Sequence, residues 1–285
     1  YNFPELREEL IAHGHAFRTR SDTEMIVHAY EEWGDACVER FRGMFVFAVW
    51  DRAQDRVFIA RDRLGIKPLY YTLLEDRTLV FGSELKVVIA HPKVRRRLDL
   101  EALDLYLTLE YVPAPRSIFE GIRKLPAGHT LVYKDGEVAV SKYWDVEAAA
   151  PGGGGGRPEP PRLDEAMDRL YGLLKESVRL RLISDVPLGA FLSGGIDSST
   201  VVGLMREAGA EPLKTFSIGF KDQSYNELEA ARRIAERFAT DHEELIIEPK
   251  ALDLTEKLVG HLDEPFGDFS IFPTFLVSEM ARTSV

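Results

Sequence analysis

The sequence predicts a two-domain α/β protein, with antiparallel strands covered by helices in the first part and a parallel sheet flanked by helices in the second. Between residues 44 and 84, four β-branched or aromatic runs alternate with short polar turns, a pattern that favours antiparallel pairing. The runs at 44–50 and 56–60 are apolar at nearly every position, so both faces of these strands are expected to be covered. After residue 163, strand-like and helix-like stretches alternate, as in parallel sheets.

A low-complexity stretch separates the two patterns. Residues 148–161 read AAAPGGGGGRPEPP, a composition that cannot bury a core. We therefore predict a first domain at 1–147, a linker at 148–162 and a second domain at 163–285.

Composition limits the classes of function. The chain has 285 residues, a formal net charge of −11 and one cysteine. The length suffices for two cores, and the negative charge argues against a nucleic-acid partner. A single cysteine excludes an intramolecular disulfide and fits a reducing compartment, so a cytoplasmic location is expected. No apolar run approaches the roughly 20 residues that span a bilayer, so no membrane partner is expected.

The stretch that organises the chain is SGGIDSS, residues 193–199, which follows the strand-like run 186–192. Gly194 and Gly195 allow backbone conformations in which successive N–H groups converge on phosphate oxygens. A helix expected to start near Ser198 adds the positive end of its dipole. The hydroxyl donors are Ser193, Ser198 and Ser199. The sequence therefore predicts a phosphate-binding loop.

Spacing excludes three better-known loops. A Walker A loop needs a lysine after its glycines, and none follows Gly195 in the loop or at the helix start. A nucleophile elbow needs glycine two residues before the serine, where Phe191 stands. The third glycine of a dinucleotide fingerprint is also absent. An ordinary strand-to-helix turn remains the alternative.

The loop resembles the SGGxDS pyrophosphate loop of enzymes that cleave ATP between the α and β phosphates. Upstream, SDTE, RGMFVFAVWD, ARDRLGIKPLYY and FGSELK follow one another as in class II glutamine amidotransferase domains. Taken together, residues 1–285 resemble the glutamine-hydrolysing asparagine synthetase family.

The resemblance implies a fold and a reaction. The fold is an N-terminal-nucleophile-type αββα sandwich followed by a Rossmann-like parallel α/β domain. In the reaction, ATP and Mg²⁺ activate a carboxylate as an acyl-adenylate, and ammonia from glutamine converts it to an amide, AMP and pyrophosphate. Aspartate is the carboxylate in the type enzyme, and a homo-oligomeric assembly is left open. A β-lactam-forming synthetase, an amidotransferase acting on a cell-envelope or secondary-metabolite precursor, and a non-catalytic nucleotide-binding module remain alternatives.

The resemblance also assigns site residues. Asp22 is expected to contact the amino group of glutamine, although a first-turn acid favoured by the helix dipole is the alternative. Ser21 and Glu24 have capping-box spacing, which helix initiation explains. Asp197 is the expected Mg²⁺ contact, with a first-turn acid again the alternative. The residues expected to bind ATP are Leu192, Ser193, Gly194, Gly195, Asp197, Ser198, Ser199 and Ile218.

No catalytic residue is assigned, because the family's nucleophile is a cysteine at the very N-terminus and this chain begins with Tyr1. Cys37 is internal and reads as a small buried hydrophobe. We therefore expect residues 1–285 to lack glutamine hydrolysis and to represent a family member incomplete at both ends. The run at 263–265 resembles a segment near the acyl substrate, with no role assigned.

Overall fold

The computed structural model describes residues 1–146, 161–220, 227–247 and 251–285. These form two compact units, one of Tyr1–Gly155 and Gly260–Gly267, the other of Gly156–Val259 and Asp268–Val285. Except for residues 161 and 162, the predicted linker lies outside the described residues. Within the described part of the chain, no helix is both long and apolar enough to cross a bilayer.

The first unit is built from short helices and antiparallel strands. Its helices are α1 Phe3–Ala12, α2 Asp22–Trp33, α3 Cys37–Arg40, α4 Leu85–Ile89 and α5 Leu100–Leu109, with a 3₁₀ turn at Gly34–Ala36. Its strands are β1 Val46–Asp51, β2 Arg56–Arg61, β3 Tyr70–Leu73, β4 Leu79–Gly82, β5 Arg123–Lys124, β6 His129–Lys134 and β7 Glu137–Lys142.

The strands of the first unit form two sheets, ordered β1-β2-β6-β7 and β4-β3-β5. Every pairing among them is antiparallel, which confirms the predicted pairing. The four runs do not share one sheet, however, because β2 takes β6 as its second partner, with Ile59 opposite Leu131. The Asp135-Gly136 turn between β6 and β7 has both φ angles positive, at 55° and 78°, as the favoured two-residue hairpin requires.

The burial of β1 and β2 differs because their places in the sheet differ. Phe58, Ile59 and Ala60 of β2 are fully buried, as expected for a strand covered on both faces. The same expectation for residues 44–50 is wrong: β1 is the edge strand of its sheet, and Trp50 on it is 56% exposed.

Three apolar clusters fill the first unit. One lies between α1, α2 and the first sheet and includes Leu10, Ala29, Cys37 and Phe58. A second joins Ile59 and Leu131 of the first sheet to Tyr71 of the second. A third joins Tyr70 to Leu85, Val88 and Ala102 of α4 and α5. Adjacent residues of β2 and of β3 therefore face opposite sides, as the two-residue repeat of a strand requires.

The second unit alternates helices and parallel strands. In chain order it contains α6 Leu163–Arg181, β8 Gly189–Phe191, α7 Ile196–Glu207, β9 Lys214–Phe220, α8 Leu228–Phe238, β10 Asp241–Ile247, α9 Ala251–His261 and α10 Ile271–Ala281. The last two residues of α9, Gly260 and His261, belong to the first unit. The sheet order is β10-β9-β8, and both pairings are parallel, as predicted.

The strand expected over 186–192 spans only Gly189–Phe191. Pro187 lacks the N–H that a sheet ladder uses, which explains the later start. Beyond the strand, Leu192 N–H still donates to Phe216 O at 2.8 Å. The side chain of Leu192 is buried in the core with Val202, Leu213 and Ala231.

Candidate functional site

The residues after β8 lead into the N-terminus of α7. Gly195 is the N-cap in extended conformation, with φ −70° and ψ 165°, and α7 begins at Ile196 rather than near Ser198. Asp197 and Ser198 therefore lie in the first helical turn. Ser199 N–H already donates to Gly195 O at 3.0 Å. The N–H groups of residues 196–198 precede Ser199 N–H, the first donor of an intrahelical bond, so they are the donors that the helix start offers to an anion.

Gly194 is the position in the loop that requires glycine. Its φ is +78°, and a Cβ there would lie 2.6 Å from Ala230 Cβ and 2.7 Å from Ala231 N on α8. Gly195 differs, since its φ is ordinary and its Cβ would meet the Ser193 hydroxyl at 3.3 Å. The expectation that both glycines supply unusual backbone conformations thus holds for Gly194 alone.

Two serine hydroxyls hold the loop together. Ser193 Oγ and Ser198 Oγ lie 3.0 Å apart, and Gly195 N–H donates to Ser193 Oγ at 3.3 Å. Ser198 Oγ also accepts from Ser193 N–H at 3.3 Å. Ser199 departs from the prediction, because its Oγ is buried and has no hydrogen-bond partner among the described residues.

The loop stands beside an open end of the sheet. The register of β8 with β9 ends at Phe191 opposite Phe216, while β9 continues along β10 to Phe220. Ser217 Oγ donates to Leu192 O at the point of divergence. Ile218 follows on the overhang, with its side chain packed beside Phe216. Ligands of parallel sheets bind in such crevices at the carboxyl ends of the strands.

Asp197 is exposed on the first turn of α7. It belongs to no cluster of three or more converging metal-ligand side chains among the described residues. A Mg²⁺ ion held mainly by phosphate oxygens and water needs only one or two carboxylates, so a single exposed aspartate is compatible with that ion. Asp197 by itself does not define a metal site.

A second cleft lies in the first unit, at the start of α2. Ser21 caps the helix, since its Oγ accepts from Thr23 N–H at 3.1 Å, and Asp22 is exposed beside it. The cleft has a volume of about 490 Å³. It is lined by Asp22, Thr23, Ile26, Val27, residues 44–50 and Lys67. An anionic group and a cationic group thus border a largely apolar cleft, and the sequence reading missed Lys67.

The predicted capping box is only half formed. The Glu24 carboxylate does not reach back to Ser21 but accepts from the N–H groups of Arg18 at 2.7 Å and Thr19 at 2.6 Å. These bonds, with the Thr19 hydroxyl, lower the pKa of Glu24 to about 2. Glu24 therefore holds the preceding loop against α2.

Comparison with known proteins identifies the family to which the chain belongs. Residues 1–144 match the glutamine amidotransferase domain family, and residues 169–285 match the asparagine synthase family. The chain belongs to the glutamine-hydrolysing asparagine synthetase family. A putative asparagine synthetase [glutamine-hydrolyzing] 2 of Methanocaldococcus jannaschii is 37% identical over 291 residues, covering 100% of this chain and 54% of the relative. Asparagine synthetase [glutamine-hydrolyzing] 3 of Bacillus subtilis is 35% identical over 279 residues, covering 93% and 43%.

The chain thus spans about half the length of the curated relatives that it matches. Among solved structures, an NH3-dependent NAD synthetase from Campylobacter jejuni matches at 17% identity, with a TM-score of 0.29, over 41% of this chain and 52% of that chain. A likeness of this size bears on neither fold nor function.

In this asparagine synthetase-family chain, Cys37 is a core residue. It is fully buried, beside Leu10 and Ala29. Burial, reinforced by Asp35, raises the pKa of its thiol to about 12, so the nucleophilic thiolate is absent at neutral pH. This environment agrees with a structural residue rather than a nucleophile.

The run at 263–265 belongs to the first unit, where its carboxylates have close partners. Glu264 accepts from Ile118 N–H at 2.8 Å and from the Tyr70 hydroxyl at 3.3 Å, and it pairs with the Lys124 ammonium. Asp263 Oδ2 accepts from Leu85 N–H at 2.6 Å at the start of α4. The sequence did not predict a role for these carboxylates, because the N–H and hydroxyl groups that donate to them belong to residues 146 to 194 positions earlier in the chain.

Proposed function

We propose that this chain is part of an ATP-dependent, glutamine-dependent amide-forming ligase in which ammonia attacks an acyl-adenylate. The observation that carries the proposal is the N-terminus of α7, whose first-turn N–H groups stand beside the overhang of β9 at the carboxyl end of the sheet. Membership of the asparagine synthetase family supports the reaction type, with aspartate as the first acceptor to test.

The loop is suited to holding pyrophosphate as a leaving group. The N–H groups of residues 196–198 and the hydroxyls of Ser193 and Ser198 are fixed before any ligand binds, so they stabilise growing negative charge with little reorganisation. In this proposal the backbone near Leu192 and Ile218 borders the adenine. The buried hydroxyl of Ser199 contributes less than those of Ser193 and Ser198.

Asp197 is the residue that would hold Mg²⁺ at this loop. A carboxylate beside a polyphosphate is repelled unless a cation lies between them, and Asp197 is exposed on the same turn as the phosphate donors. When bound, Mg²⁺ would neutralise charge on the phosphate oxygens. The aspartate orients that ion and otherwise acts as a first-turn acid of α7.

The cleft at the start of α2 is suited to an amino acid. Asp22 offers a carboxylate for an α-amino group and Lys67 offers an ammonium for an α-carboxylate. The apolar clusters on both sides of the two sheets support an αββα sandwich for this unit. The parallel order β10-β9-β8 supports a Rossmann-like second unit.

The test measures ATP binding and activation separately. Calorimetry of the chain with ATP and Mg²⁺ should show binding that Ser193→Ala weakens about tenfold, the value of a lost hydrogen bond to a charged ligand. Ser278→Ala is the matched control, since that hydroxyl bonds Thr274 O of its own helix at 2.7 Å. Equal affinities for wild type and Ser193→Ala would contradict the loop assignment.

The acceptor is identified with the full-length gene product. Pyrophosphate exchange into ATP that requires aspartate supports asparagine formation, and exchange that requires another carboxylate supports the alternative amidotransferases. ATP binding without exchange, across a panel of carboxylates, identifies a nucleotide-binding module and contradicts the ligase proposal.

A further inference from the structure

Two histidines and a glutamate converge outside the sites described so far. His15 lies in the loop between α1 and α2, while His28 and Glu31 lie one turn apart on α2. One ligand atom from each lies within 4.8 Å of the others, the one such group of three found among the described residues. None of the three lines the cleft beside Asp22.

The spacing of the three ligand atoms fits one small cation. His15 Nδ1 lies 3.2 Å from His28 Nδ1, His28 Nδ1 lies 2.8 Å from Glu31 Oε2, and His15 Nδ1 lies 3.6 Å from Glu31 Oε2. Ligands at about 2 Å from a tetrahedral zinc ion are about 3.3 Å from one another. The three distances scatter around that value.

Without a cation, one arrangement of protons satisfies these groups: His28 Nδ1–H donates towards Glu31 and His15 Nδ1, and His15 Nε2–H donates to Glu32. If both Nδ1 atoms carry a proton, two N–H groups point at each other across 3.2 Å. If His15 Nδ1 is bare, its lone pair faces the Glu31 carboxylate at 3.6 Å. A cation that accepts all three lone pairs takes the place of the proton on His28 Nδ1 and also removes the repulsion between the His15 lone pair and the carboxylate.

A carboxylate lies behind each ring, at hydrogen-bond distance from His15 and farther away at His28. His15 Nε2 lies 3.0 Å from Glu32 Oε2. The other oxygen of that carboxylate, Glu32 Oε1, lies 2.8 Å from His13 Nδ1. These two bonds lower the pKa of Glu32. His28 Nε2 faces Glu24 Oε1 at 3.8 Å. A carboxylate behind the ring is the usual support of a metal-bound histidine.

Packing fixes the rings while leaving an entrance. The side chains of His15 and His28 are 16% and 17% exposed. The His28 ring stands edge-on to Phe17 at 4.6 Å, and Arg7 covers the Phe17 ring at 4.7 Å. Glu31 is 56% exposed, so a cation can enter from solvent on its side.

We propose that His15 Nδ1, His28 Nδ1 and the Glu31 carboxylate bind Zn²⁺, with water as the fourth ligand. Two imidazoles and one carboxylate favour a transition metal over Mg²⁺ or Ca²⁺, which prefer oxygen ligands. The ion joins the loop before α2 to the helix itself. It thereby fixes the segment that leads to Ser21 and Asp22, independently of the activity proposed for the chain.

The test titrates Zn²⁺ into the chain, prepared without a histidine tag and treated with a chelator. We expect one ion per chain and a rise in the thermal midpoint of the first unit of about 5 °C at saturating Zn²⁺. Co²⁺ should give the visible absorption of a tetrahedral site, and Mg²⁺ should leave the midpoint unchanged.

Variants separate the ligands from the rest of the chain. His15→Gln and His28→Gln should each weaken Zn²⁺ binding at least 100-fold, and Glu32→Gln should weaken it about 10-fold by loosening the His15 ring. His91→Gln, outside the cluster, is the matched control. Circular dichroism without metal checks that each variant folds. Absence of micromolar Zn²⁺ binding by the wild type, or unchanged affinity in folded His28→Gln, would overturn the site.

Discussion

At the scale of single residues, Gly194 combines a left-handed backbone with contact against α8. Its φ is +78°, and an added Cβ would lie within 2.7 Å of backbone atoms of Ala230 and Ala231. We predict that Gly194→Ala lowers the free energy of unfolding by about 2 kcal/mol or more, from strain and overpacking together. Urea unfolding followed by circular dichroism measures the change.

Gly172→Ala provides the comparison for that substitution. Gly172 lies inside α6, and a Cβ there meets nothing within 4 Å. The alanine should stabilise the helix by up to about 1 kcal/mol. If both substitutions destabilised the chain to a similar extent, the close contact with α8 would not be the reason that position 194 needs glycine.

Cys37 carries a second prediction at this scale. Because the thiol is fully buried and its pKa is raised to about 12, a thiol-specific reagent should react about 100-fold more slowly with the native chain than in urea. The chain should release no ammonia from glutamine by way of Cys37. Ammonia release that Cys37→Ala abolishes would contradict this prediction.

The phosphate-binding loop could be predicted from sequence because its signal is local. Adjacent glycines and hydroxyls after a strand-like run identify the loop without knowledge of the fold. The separate roles of Gly195 and Ser199 were not predictable, since they depend on where α7 starts. The helix starts at Ile196, two residues earlier than expected. Gly195 is therefore the N-cap and has an ordinary φ, and Ser199 N–H is engaged in the first intrahelical hydrogen bond.

At the scale of elements, the segment Gly260–Gly267 is fixed to the first unit through Glu264. The side chain of Glu264 is 10% exposed and that of its partner Lys124 is 15% exposed. We predict that Glu264→Ala costs about 3 kcal/mol of unfolding free energy, because it removes the carboxylate beside a buried ammonium and the acceptor of Ile118 N–H. Chemical denaturation reports the loss.

Glu120→Ala serves as the matched control for that ion pair. Glu120 contacts Arg97 at 3.2 Å, but their side chains are 44% and 79% exposed. Exposed pairs contribute little, so the change should stay within about 0.5 kcal/mol. If the two substitutions had equal effects, burial would not determine the strength of the Glu264 contact.

The elements themselves followed from sequence, but their assembly did not. Strand runs and the Asp135-Gly136 turn are marked by local residue types. The division into two sheets depends instead on β6 pairing with β2, about seventy residues earlier in the chain, and on β5 pairing with β3. No periodicity within either strand specifies such a partner.

At the scale of the whole molecule, buried acidic groups predict a loss of stability in alkali. Burial raises the pKa values of Cys37, Tyr30 and Tyr143 to about 12 each, from ordinary values of 9.0 for the thiol and 10.0 for the phenols. Between the unfolded and folded pKa values the unfolded chain binds fewer protons, so the free energy of unfolding must fall as pH rises through about 9 to 12.

Denaturation in urea at a series of pH values checks this slope. Cys37→Ala should flatten it, since the variant lacks one of the groups that ionise on unfolding, even if the variant is less stable at neutral pH. The reference is Cys37→Val, which also removes the thiol and should show the same slope. A pH dependence in these variants equal to that of the wild type would contradict the assignment to Cys37.

The exposed edge strand β1 has an optical consequence. Trp50, 56% exposed on that strand, lines the cleft beside Asp22, while Trp33 and Trp144, the other tryptophans of the chain, lie outside its lining. A molecule that enters the cleft displaces water from one indole, so occupancy should shift the emission of the native chain towards the blue. The edge strand thus places a fluorophore in the wall of the cleft. Trp50→Phe should abolish the shift in emission on binding while leaving the emission of Trp33 and Trp144.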